Sequence, residues 1–192
     1  VFILDDITPL QQIQPNATAA LFKPHDTYRF HQITSTLQSK TEPSWGEDPP
    51  YGVSINYYTA TDKDSVKIYI TSAAGDTVKT FKQKGNAGFN RLWWNLEGKQ
   101  SKPFIMRTHP TGSDWVALDK KRKREAHVSY LFKSYLVAPG TYKVSMVAGA
   151  QQFSASFDVK KDPNSEGTLA DITKQQELLG KMHADMNEMA DI

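Results

Sequence analysis

Cysteine is absent from all 192 residues. That excludes disulfides, thiolate metal sites and a cysteine nucleophile. Charge of one sign is scarce as well: 23 Lys and Arg oppose 21 Asp and Glu, leaving a formal net charge of +2. No global field therefore points to nucleic acid or to a membrane surface. No apolar run approaches the ~18 residues of a spanning helix, and no secretory leader is recognisable. The chain opens on Val1 rather than Met, which suggests a fragment or a processed product. The sequence shows no Gly-rich phosphate loop, paired-His zinc motif or nucleophile elbow. The five histidines, at 25, 31, 109, 127 and 183, share no ligand spacing. The carboxylate pairs Asp5–Asp6 and Asp62/Asp64 lack the separation that glycoside hydrolysis needs across its substrate. No catalytic residue, metal ligand or cofactor is therefore assigned.

What the chain does have, from Gly52 onward, is period-two patterning. In "GVSINYYT" Val53, Ile55 and Tyr57 share one face, and in "SVKIYIT" Val66, Ile68 and Ile70 do. The segment between them, "TATDKDS", reads as a hairpin turn, and "SAAGD" as a second turn leading into "TVKTFKQ". "TYKVSMV" and "QFSASFDVK" form another strand pair around Gly149, with Phe153, Ala155, Phe157 and Val159 on one face. Several half-buried antiparallel strands at short spacing predict a mainly β protein, a β-sandwich. Earlier, "VFILDD" and "ALFKP" read as short strands, and "TEPSWGEDPPYG" as a connector.

The adjacent tryptophans of "GFNRLWWNL" fall on opposite faces of such a strand. Leu92, Trp94 and Leu96 form the core side, while Phe89, Arg91, Trp93 and Asn95 form the other. Trp93 is expected to pack at an edge or against another domain, with ligand contact as the alternative. The pair is not one platform.

After Asp162–Pro163 the pattern turns helical. Thr168 and Asp171 resemble a capping box with Asp in place of Glu. Ile172, Gln175, Leu179, Met182, Met186 and Met189 follow as a stripe, expected to pack on a neighbouring element. The five basic residues Lys120–Arg124 lack interleaved aromatics, so they read as a solvated insertion rather than a nucleic-acid site. Trp115, in the same insertion, is suited either to cover the sandwich edge or to stack on a sugar ring. Together with Trp45 and Tyr51 it forms a set of candidate carbohydrate-stacking residues. Phe2, Trp93, Met182 and Met186 are the candidates for inter-domain packing.

Taken in order, the motifs resemble a known arrangement. "VFILDDITPLQQ", "LFKPHDTYRF", Asp48-Pro49-Pro50-Tyr51-Gly52, Gly88/Asn90/Arg91/Trp94/Leu96, Pro139-Gly140-Thr141-Tyr142 and Asp162-Pro163 with Thr168/Ala170/Asp171 are similar to the C-terminal region of bacterial sortilin-like, Asp-box β-propeller proteins of the glycosyl hydrolase type. Trp93 departs from that pattern. The resemblance implies an immunoglobulin-like domain similar to that of the flagellar hook-capping protein. Residues 1–44 would be the propeller exit and linker, 45–163 the sandwich with a basic insertion at about 98–130, and 164–192 the helix. It further implies a secreted or otherwise extracytoplasmic bacterial parent, whose catalytic carboxylates would lie in the propeller. This chain would be a non-catalytic accessory module packed against that propeller. The alternative is a carbohydrate-binding module, with a polysaccharide as partner.

Overall fold

The structure is a computed structural model, and it describes residues 6–14, 16–30, 50–62, 65–103, 105–106, 111–112, 115, 124–125 and 134–191. Its main body is two β-sheets with a long C-terminal helix. The first sheet holds β1 (Ala19–Leu21), β3 (Val53–Thr59) and β6 (Gly88–Trp94), in the order β1-β3-β6. The second holds β2 (Thr27–Arg29), β4 (Ser65–Ser72), β5 (Thr77–Lys84), β9 (Gly140–Ala148) and β10 (Gln151–Lys161), in the order β2-β10-β9-β4-β5. A two-residue pair, β7 (Ile105–Met106) with β8 (Arg124–Glu125), lies within the insertion. A short helix α1 spans Thr8–Gln12, and α2 spans Leu169–Asp191.

Alternation explains how the sheets meet. Val53, Ile55 and Tyr57 of β3 and Trp94 of β6 are buried in one cluster with Val66, Ile68 and Ile70 of β4. Tyr142, Val144 and Met146 of β9 and Phe157 and Val159 of β10 complete it. The inward rows of both sheets thus share one core, the arrangement that period-two strands with one apolar face require. Trp94 sits at its centre, fully buried, with ring centroids 5.6 Å from Tyr142 and 6.2 Å from Phe157 in edge-on geometry. Its indole N–H donates to the Glu97 carbonyl at 2.8 Å, so the polar edge of the ring is satisfied inside the core. The Tyr142 hydroxyl reaches back four residues and donates to the Ala138 carbonyl at 2.7 Å.

The expected β9–β10 hairpin forms, with Ala148 paired to Gln151 around Gly149–Ala150. Gly149 has φ +58°, the sign a type II′ turn demands at its first central residue. "TATDKDS" is not a hairpin turn. β3 and β4 are neighbours in sequence but belong to different sheets, so this segment crosses from one layer to the other. The sheets also begin before residue 45, the expected start of the sandwich. β1 pairs antiparallel with β3 and β2 pairs parallel with β10, so residues 19–29 supply a strand to each layer rather than a linker. Asp6 lies in no strand: it precedes α1 and accepts a hydrogen bond from the Thr8 backbone N–H at 2.9 Å.

The helix α2 starts as its capping residues dictate. The Asp171 backbone N–H donates to Thr168 Oγ1 at 3.2 Å, and the Thr168 N–H donates back to Asp171 Oδ2 at 2.8 Å. This is the reciprocal box, closed by Asp in the third helical position. No residue of α2 is buried. The helix is held to the body by polar contacts: Gln176 Nε2 donates to the Leu136 carbonyl at 2.8 Å, Arg29 Nη2 to Gln175 Oε1 at 2.9 Å, and the Lys102 N–H to Asn187 Oδ1 at 2.7 Å.

Candidate functional site

The expected helical stripe does not act as one face. Ile172, Leu179 and Met186 are half-buried on the side that carries Gln176 and His183, whereas Met182 and Met189 are 53% and 59% exposed, as is Leu178 at 61%. At roughly 100° per residue the predicted positions fill one arc about 100° wide, with Ile172, Leu179 and Met186 along the edge facing the body and Gln175, Met182 and Met189 along the exposed edge. The outward result is an apolar row, Leu178–Met182–Met189, beside the face bound to the body. Near the other end of the chain, Ile7 and Leu10 of the α1 region are also about half exposed.

Of the other packing candidates, Trp93 is half-buried on the outward face of the three-stranded sheet, and Phe2 lies outside the described residues. On that sheet face β3 and β6 pair Tyr58 with Phe89, Asn56 with Arg91 and Ser54 with Trp93. Phe89 stacks on Phe22 at 5.6 Å and meets Tyr58 edge-on at 5.5 Å. Arg91 Nε donates to Asn56 Oδ1 at 2.8 Å. The face therefore has order beyond simple exposure.

Two of the carbohydrate-stacking candidates, Tyr51 and Trp115, lie among the described residues. Tyr51 is half-buried against the core, with its ring edge-on to Phe30 at 4.6 Å. Its hydroxyl donates to the Phe30 carbonyl and accepts from the Phe30 N–H, both at 3.2 Å. Burial pushes its phenol above the ordinary value. Tyr51 thus braces the strand entry and is not a free platform. Trp115 is 83% exposed. Trp45 lies outside the described residues, as do Lys120–Lys123 of the basic run; Arg124 stands in β8.

A cavity of about 560 Å³ opens between the end of β10 and the first turns of α2, and is lined in part by Arg29, Leu136, Lys161, Asp171 and Ile172. Its polar groups are already engaged. Lys161 Nζ donates to the Asp162 and Ser165 carbonyls, Asp171 closes the helix cap, and Arg29 holds Gln175. Arg29 Nε is buried and has no hydrogen-bond acceptor among the described residues. A second hollow between α1 and Lys23–Asp26 contains the contact of His25 Nε2 with Asp6 Oδ2 at 3.4 Å. The Thr8 hydrogen bonds, then His25, hold the Asp6 carboxyl below its usual range. That pair fastens the N-terminal turn to the first strands. Among the described residues no group of three or more His, Asp or Glu is placed to hold a metal ion, and no helix is long and apolar enough to cross a membrane.

Sequence reasoning missed the partnership of Arg91 with Asn56. The signal available was the outward alternation of Phe89, Arg91 and Trp93; the cross-strand partner follows only from register. No protein family, curated protein or solved structure matches the chain.

Proposed function

We propose that this chain is a non-catalytic accessory module built on an immunoglobulin-like sandwich, which packs against a β-propeller domain of an extracytoplasmic bacterial parent of the glycoside hydrolase type. The division of strands supports the fold reading. In chain order the first, third and sixth strands form one layer, and the fourth, fifth, ninth and tenth form the core of the other. Two facing sheets with successive strands crossing between them favour the immunoglobulin-like reading. The Tyr142–Ala138 hydrogen bond has the form of that class's tyrosine corner, near the start of a strand in the second layer.

The observation that carries the packing role is the row Leu178, Met182 and Met189. A helix that is moored to its own body by hydrogen bonds and leaves Leu178, Met182 and Met189 exposed presents apolar surface for a partner to cover. Methionine is suited to such a seam because its flexible thioether adapts to the opposing surface. The identity of the partner as a propeller comes from the resemblance of the chain's motifs.

Methionine footprinting tests this. In the separate chain Met182 and Met189 should oxidise readily under mild peroxide, faster than the buried Met146. In the intact parent protein both should be protected about tenfold or more. Equal oxidation in both contexts would overturn the packing role.

A further inference from the structure

The outward face of the three-stranded sheet carries an ordered row of side chains separate from Leu178, Met182 and Met189 of α2. Phe89, Arg91 and Trp93 occupy alternate positions of β6, so successive side chains stand about 6.5–7 Å apart on one side of the strand. Each is supported from β3 by Tyr58, Asn56 and Ser54 respectively. Phe89 is 47% exposed yet fixed by its contacts with Phe22 and Tyr58. Asn56 is only 7% exposed, and its Oδ1 accepts a hydrogen bond from Arg91 Nε–H. That bond orients the guanidinium and leaves its two terminal nitrogens without a hydrogen-bond partner among the described residues. The Trp93 indole N–H likewise has no acceptor there. The row therefore offers donors and aromatic surface, and among the described residues no carboxylate bonds to Arg91.

We propose that this face binds a carboxylated polysaccharide, a chain of uronate residues. Arg91 would take a uronate carboxylate through two parallel N–H···O bonds, the geometry its planar fork matches. Phe89 and Trp93 on either side would receive the apolar C–H faces of neighbouring pyranose rings. Fixing the guanidinium through Asn56 removes much of the ordering cost of binding. The alternative source of carboxylates is an acidic protein. A stable protein interface takes about 20–30 residues a side, more than the outward positions of strands of three and seven residues present. A linear glycan needs only the row itself.

The test is affinity electrophoresis, with calorimetry of the bands that shift, on the whole 192-residue protein. The probes are polygalacturonate, its methyl-esterified form, neutral dextran, dextran sulfate and poly-glutamate. Polygalacturonate should retard the protein, and methyl esterification should abolish the effect. Arg91→Gln should weaken binding at least tenfold. Arg91→Lys, which keeps the charge but loses the fork, should weaken it nearly as much, and Trp93→Phe should weaken it several-fold. Arg91 is exposed and Trp93 half-buried, and unchanged urea midpoints would show that the fold persists in each variant. Absence of retardation by polygalacturonate would overturn the proposal. So would binding indifferent to Arg91→Gln, equal retention by dextran sulfate, or tighter binding of poly-glutamate. Met182 and Met189 are read separately by footprinting, so this result and the packing role stand or fall independently.

Discussion

The Tyr142 hydroxyl donates to the Ala138 carbonyl at 2.7 Å, tying the first turn of β9 to the chain that enters it. Tyr142 is 7% exposed, and its ring also meets Trp94 from the opposite sheet. One side chain thus pins a crossing between layers and fills the core. Tyr142→Phe keeps the ring and strands the carbonyl, at an expected cost of about 1–3 kcal/mol. Urea denaturation should show a lower midpoint with an unchanged slope. A midpoint equal to the parent's would mean that water replaces the hydroxyl without loss.

Gly52 precedes β3 at φ +116°, and a Cβ there would lie 1.9 Å from the Trp94 carbonyl oxygen. Backbone strain and a clash with rigid backbone then add, so Gly52→Ala should cost about 3 kcal/mol or more. Gly75, at φ +90° in open space, supplies the comparison. Gly75→Ala meets the conformational cost alone, about 1 kcal/mol. Similar losses for the two, measured by urea midpoint, would refute the close approach of Gly52 to the Trp94 strand.

These positions show what periodicity reveals and what it hides. Trp94 was legible as core because alternation assigns a face to each residue of a strand, and the same rule turned Trp93 outward. Alternation does not say which strand lies alongside. The connection between β3 and β4 therefore looked like a hairpin, although it crosses between layers. β2 left no trace at all: Thr27, Tyr28 and Arg29 bury nothing fully, and their strand exists through backbone pairing with β10. Asn90 stood out only as part of a motif. In the structure its side-chain amide donates to the Asn86 carbonyl at 2.7 Å and to the Gly88 carbonyl at 3.0 Å, so it shapes the turn into β6. The candidate site was half legible: the outward row was readable, and its Asn56 support required register.

Burial pushes the phenols of Tyr51, Tyr57 and Tyr142 above the ordinary value of 10.0. The unfolded chain therefore releases these protons first as pH rises. Their contribution to stability is complete below pH 10.0 and is lost as pH climbs through the higher folded values. Alkaline solutions should weaken the fold progressively from that point. Tyr57 has no hydrogen-bond partner among the described residues, so Tyr57→Phe removes one titrating group without breaking a bond. Stability measured against pH should fall less steeply in that variant. An identical slope would exclude Tyr57 from the alkaline transition.

The cap of α2 predicts the opposite response at the acid end. Hydrogen bonds from the Thr168 side chain, then from its backbone, hold the Asp171 carboxyl below the ordinary 3.8. A depressed carboxylate stabilises above its unfolded value and loses that contribution as pH falls through the folded one. Because α2 buries no residue and is moored by hydrogen bonds, its first turn depends on the box more than a core helix would. Thr168→Ala removes the first-named cause of the shift and an N-cap together, and should cost roughly 0.5–2 kcal/mol of helix stability. Hydrogen exchange at neutral pH should accelerate in the first turns of α2 while β9 and β10 stay protected. The acid-dependent part of that protection should also shrink in the variant, since Asp171 would return toward its ordinary range and its folded and unfolded values would converge. Uniform acceleration across sheet and helix would instead make the box part of the global fold, with α2 a cooperative member of the sandwich.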